Sequence, residues 1–262
     1  MSRNNWYKGR KKRQKRKVDT TLIVKLVNRE RLIHPRIGGR KLFKILKPEL
    51  KEEGVHIGRD VFFTVLRNNN LLVPPPKKSC RTTDSRHSMP VFSNLVKDLQ
   101  ITHVNQVWVS DITYIRTDDG YVFLSSIMDI YSRKIVGYCC SDSLEAEGCL
   151  NALDQALTGL PEGSKPIHHS DRGCQYCCHA YVDRLRGHGL GISMTQENHC
   201  AENAFAERLN GILKQEYALN MTFKSKKQAY KAVHEAVWLY NNKRPHIRLD
   251  MQKPEEVYQN AA

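Results

Sequence analysis

Eleven residues, Gln106–Arg116 (QVWVSDITYIR), are dominated by Val, Trp, Ile, Thr and Tyr and carry a single acid, Asp111, at their centre. β-branched and aromatic side chains at this density suit a buried pleated strand and suit a helix poorly. A carboxylate flanked by Val109 and Ile112 on such a strand is costly to bury without compensation. The run thus predicts a strand in the interior of a sheet, and an acid that needs a reason to be there.

Downstream residues continue the sheet. Asp118-Asp119-Gly120 is a hairpin signal, leading into strand-like Tyr121–Tyr131 and Lys134–Ser141. Leu144–Leu157 has helical periodicity and stops at Gly159 and Pro161. A short strand is expected at Ile167–His169, a helix at Tyr176–Gly187 and another strand at Leu190–Met194, before helices at about 201–217 and 225–242. The whole predicts an α/β fold with a mixed five-stranded sheet and flanking helices over residues 91–262.

The first ninety residues differ in kind. They hold 24 Lys and Arg against 7 Asp and Glu, whereas residues 91–262 hold 18 against 20, so all of the +15 net charge lies at the N-terminal end. Such asymmetry points to a nucleic-acid-binding part joined to a near-neutral part with another task. Residues 1–17 carry nine Lys and Arg and no acid, forming a basic arm that includes Arg10, Lys11, Lys12 and Arg13. Helices are expected at Asp19–Ile33, Arg40–Glu53 and Arg59–Asn68, with Pro48 kinking or splitting the second. Residues 18–73 therefore read as a small all-α helix-turn-helix domain. Pro74-Pro75-Pro76 opens a linker to residue 90.

No apolar stretch is long enough to span a bilayer, and no apolar region succeeds the basic N-terminus, so neither a membrane role nor secretion is expected. Eight cysteines lack regular spacing, which argues for free thiols in a reducing cytoplasm. Cys174, Cys177, Cys178 and His179 suggest zinc, but no second ligand pair accompanies them, and no structural zinc is expected.

Asp171 ends the strand Ile167-His168-His169-Ser170, and Glu207 lies on a helical pattern with thirty-five residues between the two acids. Taken singly, each acid is more often a surface charge or a cap. Brought together with Asp111, the three would suit hard divalent cations and phosphoryl transfer. Lys214 lies two helical turns after Glu207 and Asn203 one turn before it, on the same face. Both are DNA-contact candidates, as are His169 near Asp171, Lys243 and Arg244 at the end of the last long helix, and Arg40 and Lys41 in the helical domain. Strand alternation should turn His168 away from the side that His169 faces.

These segments together resemble the DDE transposases of bacterial insertion sequences, in the family most similar to retroviral integrase. The similarity is carried by Asn105–Tyr114, by His169-Ser170-Asp171 with Gly173 and Gln175-Tyr176, and by Asn203-Ala204 with Glu207. Leu213-Lys214 with Glu216, Tyr240-Asn241 with Arg244-Pro245-His246, and Pro35–Leu42 upstream complete it. The resemblance implies an RNase H-like integrase core in which Asp111, Asp171 and Glu207 ligate Mg²⁺ or Mn²⁺, as two ions. It also implies cleavage of element ends, attack of the freed 3′-hydroxyl on another strand, and double-stranded DNA as partner, both element end and target. A homo-oligomer on DNA at the bacterial nucleoid and a frameshift fusion with an upstream DNA-binding product are further implications. A metal-dependent nuclease, or an inactive DNA-binding remnant, are the alternatives that the residues leave open. Glu202 stands where the family has Asp, and adds a fourth acid near Glu207.

Overall fold

The computed structural model describes residues 20–74, 89–196 and 202–261. The chain divides into two compact units, Met1–Pro76 and Lys77–Ala262. The expected arm, with Arg10, Lys11, Lys12 and Arg13, lies outside the described residues.

In the first unit, α1 (Thr20–Ile33), α2 (Gly39–Glu52) and α3 (Arg59–Asn68) enclose one core. Ile23, Val27, Leu42, Leu46, Phe62 and Leu66 are buried in it at helical spacing. Arg29 of α1 donates to Glu49 of α2 from both terminal guanidinium nitrogens. Of the kink or split expected at Pro48, the split does not occur: α2 runs on through it. Its position is exposed, so the Lys44 carbonyl that loses its intrahelical partner can be met by water. Leu46 and Leu50 meanwhile anchor the helix on both sides of the proline.

The second unit is built on a sheet of order β3-β2-β1-β4-β5, from β1 (Val107–Thr117), β2 (Gly120–Asp129), β3 (Ile135–Ser141), β4 (Ile167–Ser170) and β5 (Gly191–Met194). β1, β2 and β3 pair antiparallel, and β4 joins β1 and then β5 in parallel. Gly120, at φ +109°, turns the β1–β2 hairpin in a conformation that other residues resist. Because side chains alternate along β1, Val107, Val109 and Ile115 enter one core while Trp108 and Ile112 enter the other. The first core is closed by α7 (Ala204–Glu216) and α8 (Lys226–Asn242), the second by α4 (Ala146–Thr158), α5 (Cys174–Cys177) and α6 (His179–Gly187). α4 lies tightly on β3: a Cβ at Gly137 would come within 2.1 Å of the Ala152 carbonyl oxygen.

The helices of the second core depart from expectation at one point. The single helix expected at Tyr176–Gly187 is two helices, because Cys178 has extended backbone (φ −67°, ψ 148°): its N–H closes the first helix on the Cys174 carbonyl, and its thiol donates to the Gln175 carbonyl. A short 3-10 turn at Ile247–Leu249 and α9 (Pro254–Ala261) complete the C-terminal end.

Candidate functional site

Asp111 lies mid-strand on β1 on the α7 side of the sheet. Parallel pairing sets Val109 opposite His169, so Asp111 and Asp171, each two residues on, end up level at the carboxyl end of β4. Gly173 shapes the turn after that strand: its N–H donates to Asp171 Oδ1 at 3.0 Å, and a Cβ there would meet that same oxygen. α7 then presents one face to Asp111. Asn203, just before the helix, donates to the Ser110 carbonyl (3.1 Å), and Asn210 donates to Asp111 Oδ2 (2.8 Å). Glu207 lies between them on the same face and is exposed.

The electrostatics tie these groups together. Burial pushes the Asp111 carboxyl up to about 7, and the Asp171 and Glu207 charges push in the same direction against the donors Ile112 N–H and Asn210. Burial depresses the Lys214 ammonium, while the Asp111 charge favours it. The expected acids and the lysine thus share one electrostatic environment. They do not close into a cage: among the described residues, no three His, Cys, Asp or Glu side chains converge tightly enough to enclose a metal ion.

Several expected DNA contacts are placed otherwise. His169 does face the side away from His168, but it is 1% exposed, with Nδ1 bonded to the Ser193 hydroxyl at 2.9 Å. The segment around Leu95 covers it, since Leu95 N–H donates to the same hydroxyl and Asn94 donates to Glu202. His168 is held by Ser110 and Tyr181 on the opposite side. Asn203 is also buried. Arg244 is 2% exposed, binds Glu216 through Nε and Nη2 at 2.8 and 2.9 Å, and donates from Nη1 to His246. A guanidinium so enclosed ties the end of α8 to the end of α7 and does not reach a DNA backbone. Lys243 stays exposed, its ammonium 5.6 Å from the centre of the Trp238 ring. Arg40 is exposed and Lys41 half-buried. Glu202, the fourth acid, accepts from Asn94 and from Gln196 N–H, so it belongs to that covering segment.

Asn210 is the site residue that sequence reading missed. Its signal was there, three residues after Glu207 and four before Lys214, hence on the same helical face.

A β3-β2-β1-β4-β5 mixed sheet with an acid on its central strand, a second acid where the neighbouring parallel strand ends and a third on the covering helix defines an RNase H-like integrase core. Residues 101–200 and 188–254 each match a family model described as an integrase core domain. The chain is 35% identical over 223 residues to an uncharacterized 31 kDa protein of insertion element IS600 from Shigella sonnei, covering 83% of this chain and 82% of that protein. It is 32% identical to the transposase for insertion sequence element IS629 of the same species, covering 86% of this chain and 74% of that one. A chain in a cryoEM structure of a simian T-cell lymphotropic virus intasome in complex with PP2A regulatory subunit B56 gamma shares the fold at a TM-score of 0.52 and 16% identity. That alignment covers 84% of this chain and 74% of that one. The chain belongs to the integrase-core transposases of bacterial insertion sequences. Among the described residues, no helix is long and apolar enough to cross a membrane.

Proposed function

We propose that this transposase cuts the ends of its element and joins the freed 3′-hydroxyl to another DNA strand, with Asp111, Asp171 and Glu207 as ligands of two Mg²⁺ or Mn²⁺ ions. The observation that carries this reading is geometric: paired parallel strands set Asp111 and Asp171 level, and the covering helix brings Glu207 near enough for its charge, like that of Asp171, to act on the buried Asp111 carboxyl. Three hard oxygen donors with mutually unfavourable charges fit divalent cations, which would relieve the repulsion. When bound, such ions activate the attacking oxygen and stabilise the leaving one.

The chain's own residues do the rest. Asn210 holds the Asp111 carboxylate in one orientation, and Asn203 pins the start of α7 to β1 so that Glu207 faces the strand. Lys214, half-buried beside Asp111, offers a cation for a phosphate brought to these acids. Double-stranded DNA is the substrate, at element ends and at the target, and handling two ends calls for more than one copy of the chain. Work at the nucleoid, alone or as a frameshift fusion with an upstream DNA-binding product, belongs to the same reading.

The test is cleavage and strand transfer by purified protein with Mg²⁺ on end-containing duplex DNA, comparing wild type with Asp171→Asn. Loss of both products in a variant that still folds and binds DNA is the expected result. Unchanged joining by the variant would remove Asp171 from the site. Nicked ends without joined product in wild type would instead make the chain a nuclease.

A further inference from the structure

The N-terminal unit carries a feature that the core chemistry does not use. Arg40, Lys44, Lys47 and Lys51 stand at intervals of four, three and four residues on α2, and all four are exposed. That spacing places them in one row along the helix, spanning roughly 16 Å. The opposite face of α2, with Leu42, Leu46 and Leu50, is sealed in the core, so the row has no freedom to turn inward.

The row is not matched by acids as its neighbours are. Arg29 is paired with Glu49 and Arg59 with Asp60. None of the four row cations forms an ion pair with a described residue; the Lys47 ammonium lies 5.9 Å from the Phe43 ring centre. Among the described residues, Glu52, beside Lys51, is the one carboxylate bordering the cleft lined by Lys44, Lys47, Pro48 and Lys51. The next helix, α3, differs: its exposed side chains are the Arg59–Asp60 pair, Val61, Thr64, Arg67 and Asn68.

We infer that the α2 row grips the phosphates of one strand of duplex DNA without regard to sequence, whereas α3 presents the side chains that meet base edges. This rests on the reading that the chain acts on DNA. In helix-turn-helix docking the first helix of the motif crosses the backbone and the second enters the major groove, which matches the cations to α2 and the shorter polar groups to α3. Along a row of roughly 16 Å, each of the four cations can neutralise at most one phosphate of the strand it follows. Phosphate contacts hold register and orientation, and base contacts carry discrimination, so the two helices divide affinity from selectivity.

The experiment measures binding of the full chain by fluorescence anisotropy between about 50 and 300 mM salt. It compares an end-containing duplex with a shuffled duplex of equal length. The variant Arg40→Gln/Lys44→Gln/Lys47→Gln/Lys51→Gln keeps helix-forming residues throughout. It is expected to weaken binding to both duplexes by a similar factor and to reduce the slope of log affinity against log salt by about 3 to 4, at about 0.9 per phosphate released. Thr64→Ala/Arg67→Gln is expected to erode preference for the end duplex while changing the slope by at most about 1. Should the fourfold variant fail to fold by circular dichroism, Lys44→Gln and Lys47→Gln singly, at exposed positions, should each lower the slope by about 0.9. An unchanged slope, or loss confined to the end duplex, would overturn the assignment of the row. Wild type with no salt-dependent affinity for either duplex would overturn the DNA reading itself.

Discussion

Asp111 and Asp129 sit on paired strands of one sheet, with Asp129 directly opposite Trp108 in the β1–β2 register, and burial raises both carboxyls. Their surroundings separate them. Asp129, wholly buried, accepts from Asn105 N–H at 2.8 Å, from Ser132 N–H at 2.7 Å and from the Ser132 hydroxyl at 2.6 Å. Arg133 adds a favourable charge. Asp111 has two donors, Ile112 N–H and Asn210, and faces two further acids. Burial alone therefore does not mark a functional carboxylate. Asp129 is wrapped in donors that offset its burial, while Asp111 is set against other acids and left in greater deficit, as the proposed cation-binding role requires.

The sharpest way to break this comparison is to remove each charge. Asp111→Asn should lower cleavage and joining by about a thousandfold or more, worth about 4 kcal/mol of transition-state stabilisation, with the fold intact. The check is product formation beside a thermal melt, and retained activity would make Asp111 a second structural acid. Asp129→Asn should do the reverse. It places an NH₂ against donors that need an acceptor, costing about 2–4 kcal/mol of stability. Chemical denaturation reads the loss, and activity per folded molecule should stay near wild type.

A smaller effect is expected where the supporting donors are cut. Asn210→Ala frees Asp111 from its α7 tether and should reduce activity about 10- to 100-fold with little change in melting temperature. Ser132→Ala, its counterpart at Asp129, should cost about 1–2 kcal/mol of stability and leave specific activity unchanged. If the two substitutions shift the same quantity, the distinction between the carboxylates fails.

An effect of similar size, seen only through pH, is expected on the other side of the sheet from Asp111, where Ser110 and Tyr181 hold His168. Burial pushes that imidazole down to about 3, so it stays neutral in the folded state. The unfolded chain takes up a proton near the ordinary His value while the folded one does not. Stability is therefore full above about pH 6.5 and falls as pH drops below it, by up to about 1.4 kcal/mol per pH unit for this one group. Melts between pH 7 and pH 5 should show this slope in wild type and lose part of it in His168→Gln. An equal slope in the variant would mean that His168 is not the group responsible.

Much of this was legible in the residues. β-branched runs and glycine turns marked all five strands to within two residues of their ends, and α3 matches its expected range, because these signals are local. Spacing picked out Asp111, Asp171, Glu207 and Lys214, and the structure sets the three other groups close enough to act on the Asp111 charge or feel it. Arg244 and His169, expected to touch DNA, are buried instead, for one physical reason. Whether a cation meets solvent or a buried acid depends on which distant segment lies over it. Nothing local to Arg244 announces Glu216, twenty-eight residues earlier on another helix. Likewise, nothing near His169 announces that Leu95 will cover it.

The sequence by itself determined the order of elements, the uneven charge and the spacing that singles out the three acids, since periodicity, composition and spacing are written along the chain. Only the tertiary structure decided which charges stay available. It buried Arg244 and His169, left the α2 row in solvent and turned Asn210 onto Asp111. Desolvation and hydrogen-bond compensation depend on neighbours in space, and those neighbours come from residues far apart in the chain.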